Sequence, residues 1–280
     1  MLFEIDGIPY EAKTEPDLRF LQPYGKVFKV FDTLVSGNLC FGVEGPYGRL
    51  FIKLAGADTL NFTGRPSDAI ETLRNAVPLL QTQHPALARL YTHGPVLHGY
   101  AAVFEWLDAQ PFVSSDRSDR TVRSRMQTLP LPSQLAMIDN IFSLHLALAE
   151  KGFIAVDFSA RNVLLDLYSA RSFVCDIDQY LPCPAVNRTG RMPGEADYLA
   201  PEEYIRGSTI SEDSTVYKLG RLALSFFTEH DDPSPSSFMA PKPLYPVMQK
   251  AMDENRARRY RTVSDFVGAW RNALGSTWIR

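Results

Sequence analysis

Three oxygen-bearing side chains have a spacing that could do chemistry. Asp157 is followed five residues later by Asn162, which opens the apolar run Val163-Leu164-Leu165. Fourteen residues beyond Asn162, the apolar stretch Phe173-Val174-Cys175 ends on Asp176, with Asp178 close behind. Carboxylate and amide oxygens are the ligands a magnesium ion takes, so Asn162 and Asp176 make a minimal protein share of a metal site. A loop suits the Asp157–Asn162 pair better than a helix, because both side chains must converge on one point. Each feature also has a plainer reading: D-x-x-x-x-N is often a solvated turn, and an acid after a strand is often an acidic turn. Upstream, Lys53 ends the apolar strand Leu50-Phe51-Ile52, where most lysines are simply solvated.

The elements that must position these residues follow two grammars. In the first hundred residues, strands are expected at Val27 to Leu34, Leu39 to Val43 and Arg49 to Leu54, separated by the turns Ser36-Gly37-Asn38 and Gly45-Pro46-Tyr47-Gly48. A helix is expected from Ser67 as N-cap, with Ile70, Leu73 and Val77 on one face and Pro78 bending or ending its first part. Strands follow at 87–93 and 100–105. The second half reads as helical at 134–150, 213–228 and 262–274, with Gly152 stopping the first helix. The strand-like, acid-containing segment 153–180 lies between. Residues 113–134 are polar and read as a long loop or partly ordered insertion. A strand-rich front and a helical back suggest two lobes around a cleft.

Taken in order, these motifs resemble the protein kinase superfamily, in a divergent, eukaryotic-like form. Asp157-Phe158-Ser159-Ala160-Arg161-Asn162 resembles the catalytic loop, and Asp176-Ile177-Asp178 resembles the D-F-G site. Arg49-Leu50-Phe51-Ile52-Lys53 resembles the V-A-I-K strand, and Val103-Phe104-Glu105-Trp106-Leu107 the hinge. Ala200-Pro201-Glu202 resembles the A-P-E motif, and Asp253 to Tyr260 the late arginine element. The resemblance spans residues 27–274. It implies an α+β, bilobal protein-kinase-like fold: an antiparallel β-sheet N-lobe with one main helix over 1–107, and a mainly helical C-lobe over 108–280. It implies ATP and Mg2+ as cofactors. Asp157 then orients the attacking hydroxyl, Asn162 and Asp176 hold magnesium, and Lys53 pairs with the phosphates. Glu71 is expected to pair with Lys53, which requires a four-residue insertion, because ungapped counting from His84-Pro85 lands on Asn75. Gly37, Val43 and Leu164 are expected around the nucleotide, with backbone groups of Glu105 and Leu107 on the adenine edge. Glu202 is expected to lie buried against Arg259.

The pattern also departs from the family. Only the middle glycine of the glycine-rich loop survives, as Gly37 in Val35-Ser36-Gly37-Asn38-Leu39-Cys40. Phe51 stands where a small residue normally faces adenine. Overpacking of this kind costs ~1–3 kcal/mol, or roughly ten- to hundredfold in affinity. Ala155-Val156 replaces the H-R pair before the catalytic Asp, removing the usual anchor of a phosphorylated activation loop. Asp178 replaces a glycine, Ser159 a lysine, and Thr215 aligns with the helix acid that braces the catalytic loop, with Asp213 two residues earlier.

Composition narrows the rest. The 280 residues are 45% hydrophobic and 22% charged, with a net charge of -3, which points to a globular chain without a nucleic-acid partner. Cys40, Cys175 and Cys183 lack metal-ligand spacing and are too few for a disulfide framework, so a cytoplasmic setting is expected. No apolar run approaches the roughly 20 residues that cross a bilayer, and the start lacks signal-peptide character. The expected function is an ATP-dependent phosphotransferase, a divergent protein kinase acting on protein hydroxyls. The alternatives are a pseudokinase or nucleotide-binding interaction module, and a small-molecule kinase. The expected partners are ATP and a protein or small-molecule phosphate acceptor, with no membrane insertion.

Overall fold

The computed structural model describes residues 1–114 and 120–275. The protein is α+β, and its sheets are antiparallel. It divides into two compact units: Met1–Gln83 with Ala88–Asp108, and His84–Leu87 with Ala109–Arg280.

The first unit opens with a hairpin of β1 (Leu2–Ile5) and β2 (Ile8–Glu11). Asp6-Gly7 joins them with positive φ at both residues, the turn chemistry that a two-residue hairpin demands. Strands β3 (Lys26–Phe31), β4 (Asn38–Gly45), β5 (Gly48–Ala55), β6 (Leu90–Val96) and β7 (Gly99–Glu105) form one sheet in the order β3-β4-β5-β7-β6. The strand expected at 87–93 runs three residues later, because 84–87 is a turn, with Leu87 N–H donated to His84 O at 3.0 Å. Gly94 and Pro95 fit inside β6 because it is an edge strand. Helix α1 (Pro66–Leu80) buries Ala69, Leu73, Ala76, Leu79 and Leu80. Its cap is Arg65, two residues before the expected one: Pro66 occupies the first turn, and the Asp68 carboxylate accepts the Arg65 N–H at 3.1 Å. Pro78 lies within the helix without ending it.

In the second unit, β8 (Gln110–Pro111) is followed by α2 (Thr121–Gln127) and α3 (Leu131–Glu150). The expected loop at 113–134 is therefore largely helical, and its residues 115–119 lie outside the described residues. α3 begins three residues early, with Pro132 in its first turn, where a missing N–H is harmless. Gly152, at φ +80, terminates it. Short strands β9 (Phe153–Ile154), β10 (Val163–Asp166), β11 (Arg171–Val174), β12 (Leu181–Pro182), β13 (Ala185–Val186) and β14 (Thr209–Ile210) frame the chemistry. α4 (Glu212–Phe227), α5 (Leu244–Ala251) and α6 (Val263–Leu274) complete a helical core around the fully buried Trp270. Among the described residues, no helix is long and apolar enough to cross a membrane.

Candidate functional site

Asp157 lies in the loop between β9 and β10. The preceding Ala155 donates its N–H to the Thr215 hydroxyl on α4 at 2.9 Å, so a neutral side chain braces this loop. Asp157 and Asp176 both adopt left-handed backbone, with φ 58 and 55. The other non-glycine residues with positive φ lie in turns. Aspartate tolerates this region better than most residues, yet such a conformation still costs on the order of 1–3 kcal/mol and must be imposed by its surroundings. Part of that constraint is visible. Ser159 N–H donates to Asn162 Oδ1 at 2.8 Å, Asn162 N–H to Ser159 O at 3.1 Å, and Cys175 N–H to Asn162 O at 2.8 Å. Asn162 and Asp176 therefore share one end of the β10–β11 ladder. Leu164, half-buried on β10, stands opposite Phe173 and Pro111.

The half-buried Asp157 carboxyl is pushed above its ordinary range, first by burial and then by the charge of Asp176, against the opposing pull of Lys218. Neighbouring carboxylates of this kind suit a divalent cation. The side chains are all oxygen-bearing, and Asn162 Oδ1 accepts from the Ser159 N–H at 2.8 Å and from the Ser159 hydroxyl at 3.4 Å. Oxygen ligands are those magnesium takes, and among the described residues no cluster of three or more His, Cys, Asp or Glu side chains could hold a metal ion. Segment 192–199 is fastened alongside: Val156 packs with Met192 and Leu199, and Arg161 Nε donates to Glu195 at 2.5 Å. Gly194, at φ +130, passes so close that a Cβ there would stand 3.6 Å from Asp157 Oδ1.

Behind this loop is a network that sequence reasoning missed. His145 on α3 is buried; its Nδ1–H donates to Ile141 O at 2.8 Å, and Nε2 accepts from the Tyr180 hydroxyl at 2.8 Å. This assignment follows because a carbonyl can only accept. The imidazole lies 4.4 Å from the Phe158 ring, next to Asp157. Burial lowers the His145 pKa from 6.5 to about 4. As pH falls through that interval, the unfolded chain takes up a proton that the folded chain refuses. Stability should fall from about pH 6.5 towards pH 4 by up to about 1.4 kcal/mol per pH unit from this group. Denaturant unfolding across that interval should show a shallower slope for His145→Gln; equal slopes would contradict the assignment.

Three charged pairs organise the helical core. Arg259 Nη1 and Nη2 donate to the two oxygens of Glu202 at 2.7 and 2.9 Å, and Ser214 Oγ adds a bond of 2.7 Å. Both members of this pair are buried. Burial pushes the Glu202 carboxyl up, but the Arg259 and Ser214 hydrogen bonds outweigh it and hold the pKa below its ordinary value. The other two pairs escaped sequence reasoning. Glu203 pairs with Lys218, both fully buried. Asp213 accepts from Arg256 at 2.6 and 2.8 Å, so Asp213 serves the late arginine element. Lys218 could have been found from its place within the apolar positions Val216, Leu219 and Leu222 of α4.

In the first unit, Lys53 is buried on β5, opposite Cys40 on β4 and Ala102 on β7. Side chains alternate across a strand, so Cys40, Gly42, Phe51, Ala102 and Phe104 share its face. Val43 does not. It belongs to the opposite face, in the core with Leu50 and Ile52. Phe51 stands in an aromatic row, 5.8 Å from Phe31 and 6.3 Å from Phe104. Gly37 has φ +76, and a Cβ there would meet the Phe62 ring at 2.6 Å, so backbone and packing already require glycine. Glu71 is exposed on α1, and the α1 face turned to the core carries residues 69, 73, 76 and 80. Glu105 donates its N–H to Arg89 O at 2.9 Å, and its carboxylate accepts the Arg89 N–H at 3.2 Å. Leu107, half-buried, follows the end of β7. In comparisons with known proteins, no family model matches the chain and no curated protein is significantly similar to it.

Proposed function

We propose that the protein is an ATP-dependent phosphotransferase of the bilobal protein-kinase type. The observations that support this reading are the left-handed backbone of both Asp157 and Asp176, the Cys175 N–H bond to Asn162 O beside Asp176, and the upward push on the Asp157 carboxyl, first from burial and then from the charge of Asp176. Asn162 and Asp176 would hold magnesium, which when bound neutralises charge on the transferred phosphate. Lys53 binds phosphate oxygens, and Asp157 orients the acceptor hydroxyl. The acceptor is a protein hydroxyl group. Calorimetric titration with ATP should give magnesium-dependent binding, on the order of micromolar to millimolar by resemblance to nucleotide-using enzymes. Absence of heat at saturating Mg-ATP would count against the reading.

A second reading, a pseudokinase or interaction module, draws on Phe51. Its ring takes up the face of β5 that carries Lys53, where the resemblance expects a small residue against adenine. Turnover separates the two: the second reading allows nucleotide binding but no transfer to protein, peptide, small molecule or water.

A further inference from the structure

Beside the Asp157 loop, residues 186–192 are stitched against 203–209. Asn187 N–H donates to Ser208 O at 3.0 Å, Gly207 N–H to Asn187 O at 2.7 Å, and Met192 N–H to Glu203 O at 2.9 Å. Asn187 is buried within this seam, with Nδ2 donating to Glu203 O at 2.9 Å. Its neighbours face outward. Val186, Tyr204 and Ile205 are 53%, 45% and 59% exposed. Arg188, Arg191 and Arg206 are exposed among them. Arg191 lies over the Tyr204 ring and donates to Gly194 O, and Arg206 donates to Thr189 O. Among the described residues, none of the three forms an ion pair, although the Arg191 charge acts on the Asp157 carboxyl.

The acids of the same segment are spoken for or turned inward. Glu195 pairs with Arg161, Glu202 with Arg259 and Glu203 with Lys218. Asp197 alone is exposed. In a chain of net charge -3, this leaves a local positive surface that also carries exposed apolar side chains. Arginine suits carboxylates because its planar fork donates in pairs, and apolar groups inside a charged rim are the anatomy of a protein interface. Nucleic acid would satisfy the arginines but leave Val186 and Ile205 uncovered.

We propose that this surface receives an acidic polypeptide segment with an apolar or aromatic side chain. Resting on the phosphotransferase reading, that segment belongs to the phosphate acceptor, because Gly194 and Met192 carry the surface to the side of Asp157.

The test uses a fluorescent random copolymer of glutamate and tyrosine, followed by anisotropy with the full chain. The copolymer binds, binding weakens as salt rises, and a lysine–tyrosine copolymer does not bind. The triple variant Arg188→Ser, Arg191→Ser, Arg206→Ser loses about tenfold in affinity, the sum expected of three exposed ion pairs, with an unchanged melting midpoint. Ile205→Ser also weakens binding. Equal binding by wild type and triple variant overturns the proposal, and so does preferential binding of oligothymidylate. The readout needs no phosphate transfer: Asp157→Asn keeps copolymer binding, so an inactive protein leaves the surface standing and a non-binding surface leaves the transfer reaction to its own test.

Discussion

Arg259→Ala should lower unfolding stability by on the order of 3–5 kcal/mol, the usual cost of removing one partner from a buried ion pair. Arg259 gives both terminal nitrogens to Glu202 and also donates to Asp253 O at 2.6 Å and Glu254 O at 3.2 Å. Arg259 also donates to Asp213 O at 3.3 Å, so one truncation strands a buried carboxylate and three carbonyls. Arg259→Lys should recover only part of the loss, because an ammonium cannot make the same fork. Glu202→Leu combined with Arg259→Met should be much milder than Arg259→Ala, since it removes both charges together. Urea denaturation of the variants provides the measurement. A loss under about 1 kcal/mol for Arg259→Ala would show that the pair contributes no more than an exposed one.

Period and punctuation made much of the architecture legible. The strand candidates around Val30, Phe41 and Ile52 are neighbours in one sheet, and Gly152 ends a helix where its position suggested. Glu202 and Arg259, 57 residues apart, do meet. Other features needed register. Alternation divides β4 into two faces, but only its pairing with β5 puts Val43 with Leu50, on the face away from Lys53. The Asp6-Gly7 hairpin is hard to read because its strands are only four residues each, too short for a clear alternation. Ser67 misled as a cap because Pro66, one residue earlier, already fits the first turn. His145 and Lys218 were hidden for another reason: a polar residue on an apolar stripe shows its worth only when its partner, Tyr180 or Glu203, is seen to arrive from elsewhere in the chain.

The Asp157 loop should separate binding from chemistry. In phosphoryl transfer the protein contributes mainly positioning and charge stabilisation. In the proposed reaction Asp157 orients the acceptor hydroxyl, whereas Asp176 and Asn162 supply oxygen ligands. Asp176→Asn removes a charge from the proposed metal site and should weaken magnesium-dependent nucleotide binding as well as turnover. Asp157→Asn is nearly isosteric and relieves repulsion with Asp176, so binding should stay close to wild type while turnover drops. The most direct measurement is therefore ATP turnover by wild type and Asp157→Asn under saturating Mg-ATP with broad acceptors. The expected result is a wild-type rate that falls roughly 10²- to 10⁴-fold in the variant, the range of a positioned acid–base group. Full activity in Asp157→Asn, or a wild type that binds Mg-ATP and transfers phosphate to no protein, peptide, small molecule or water, would contradict it.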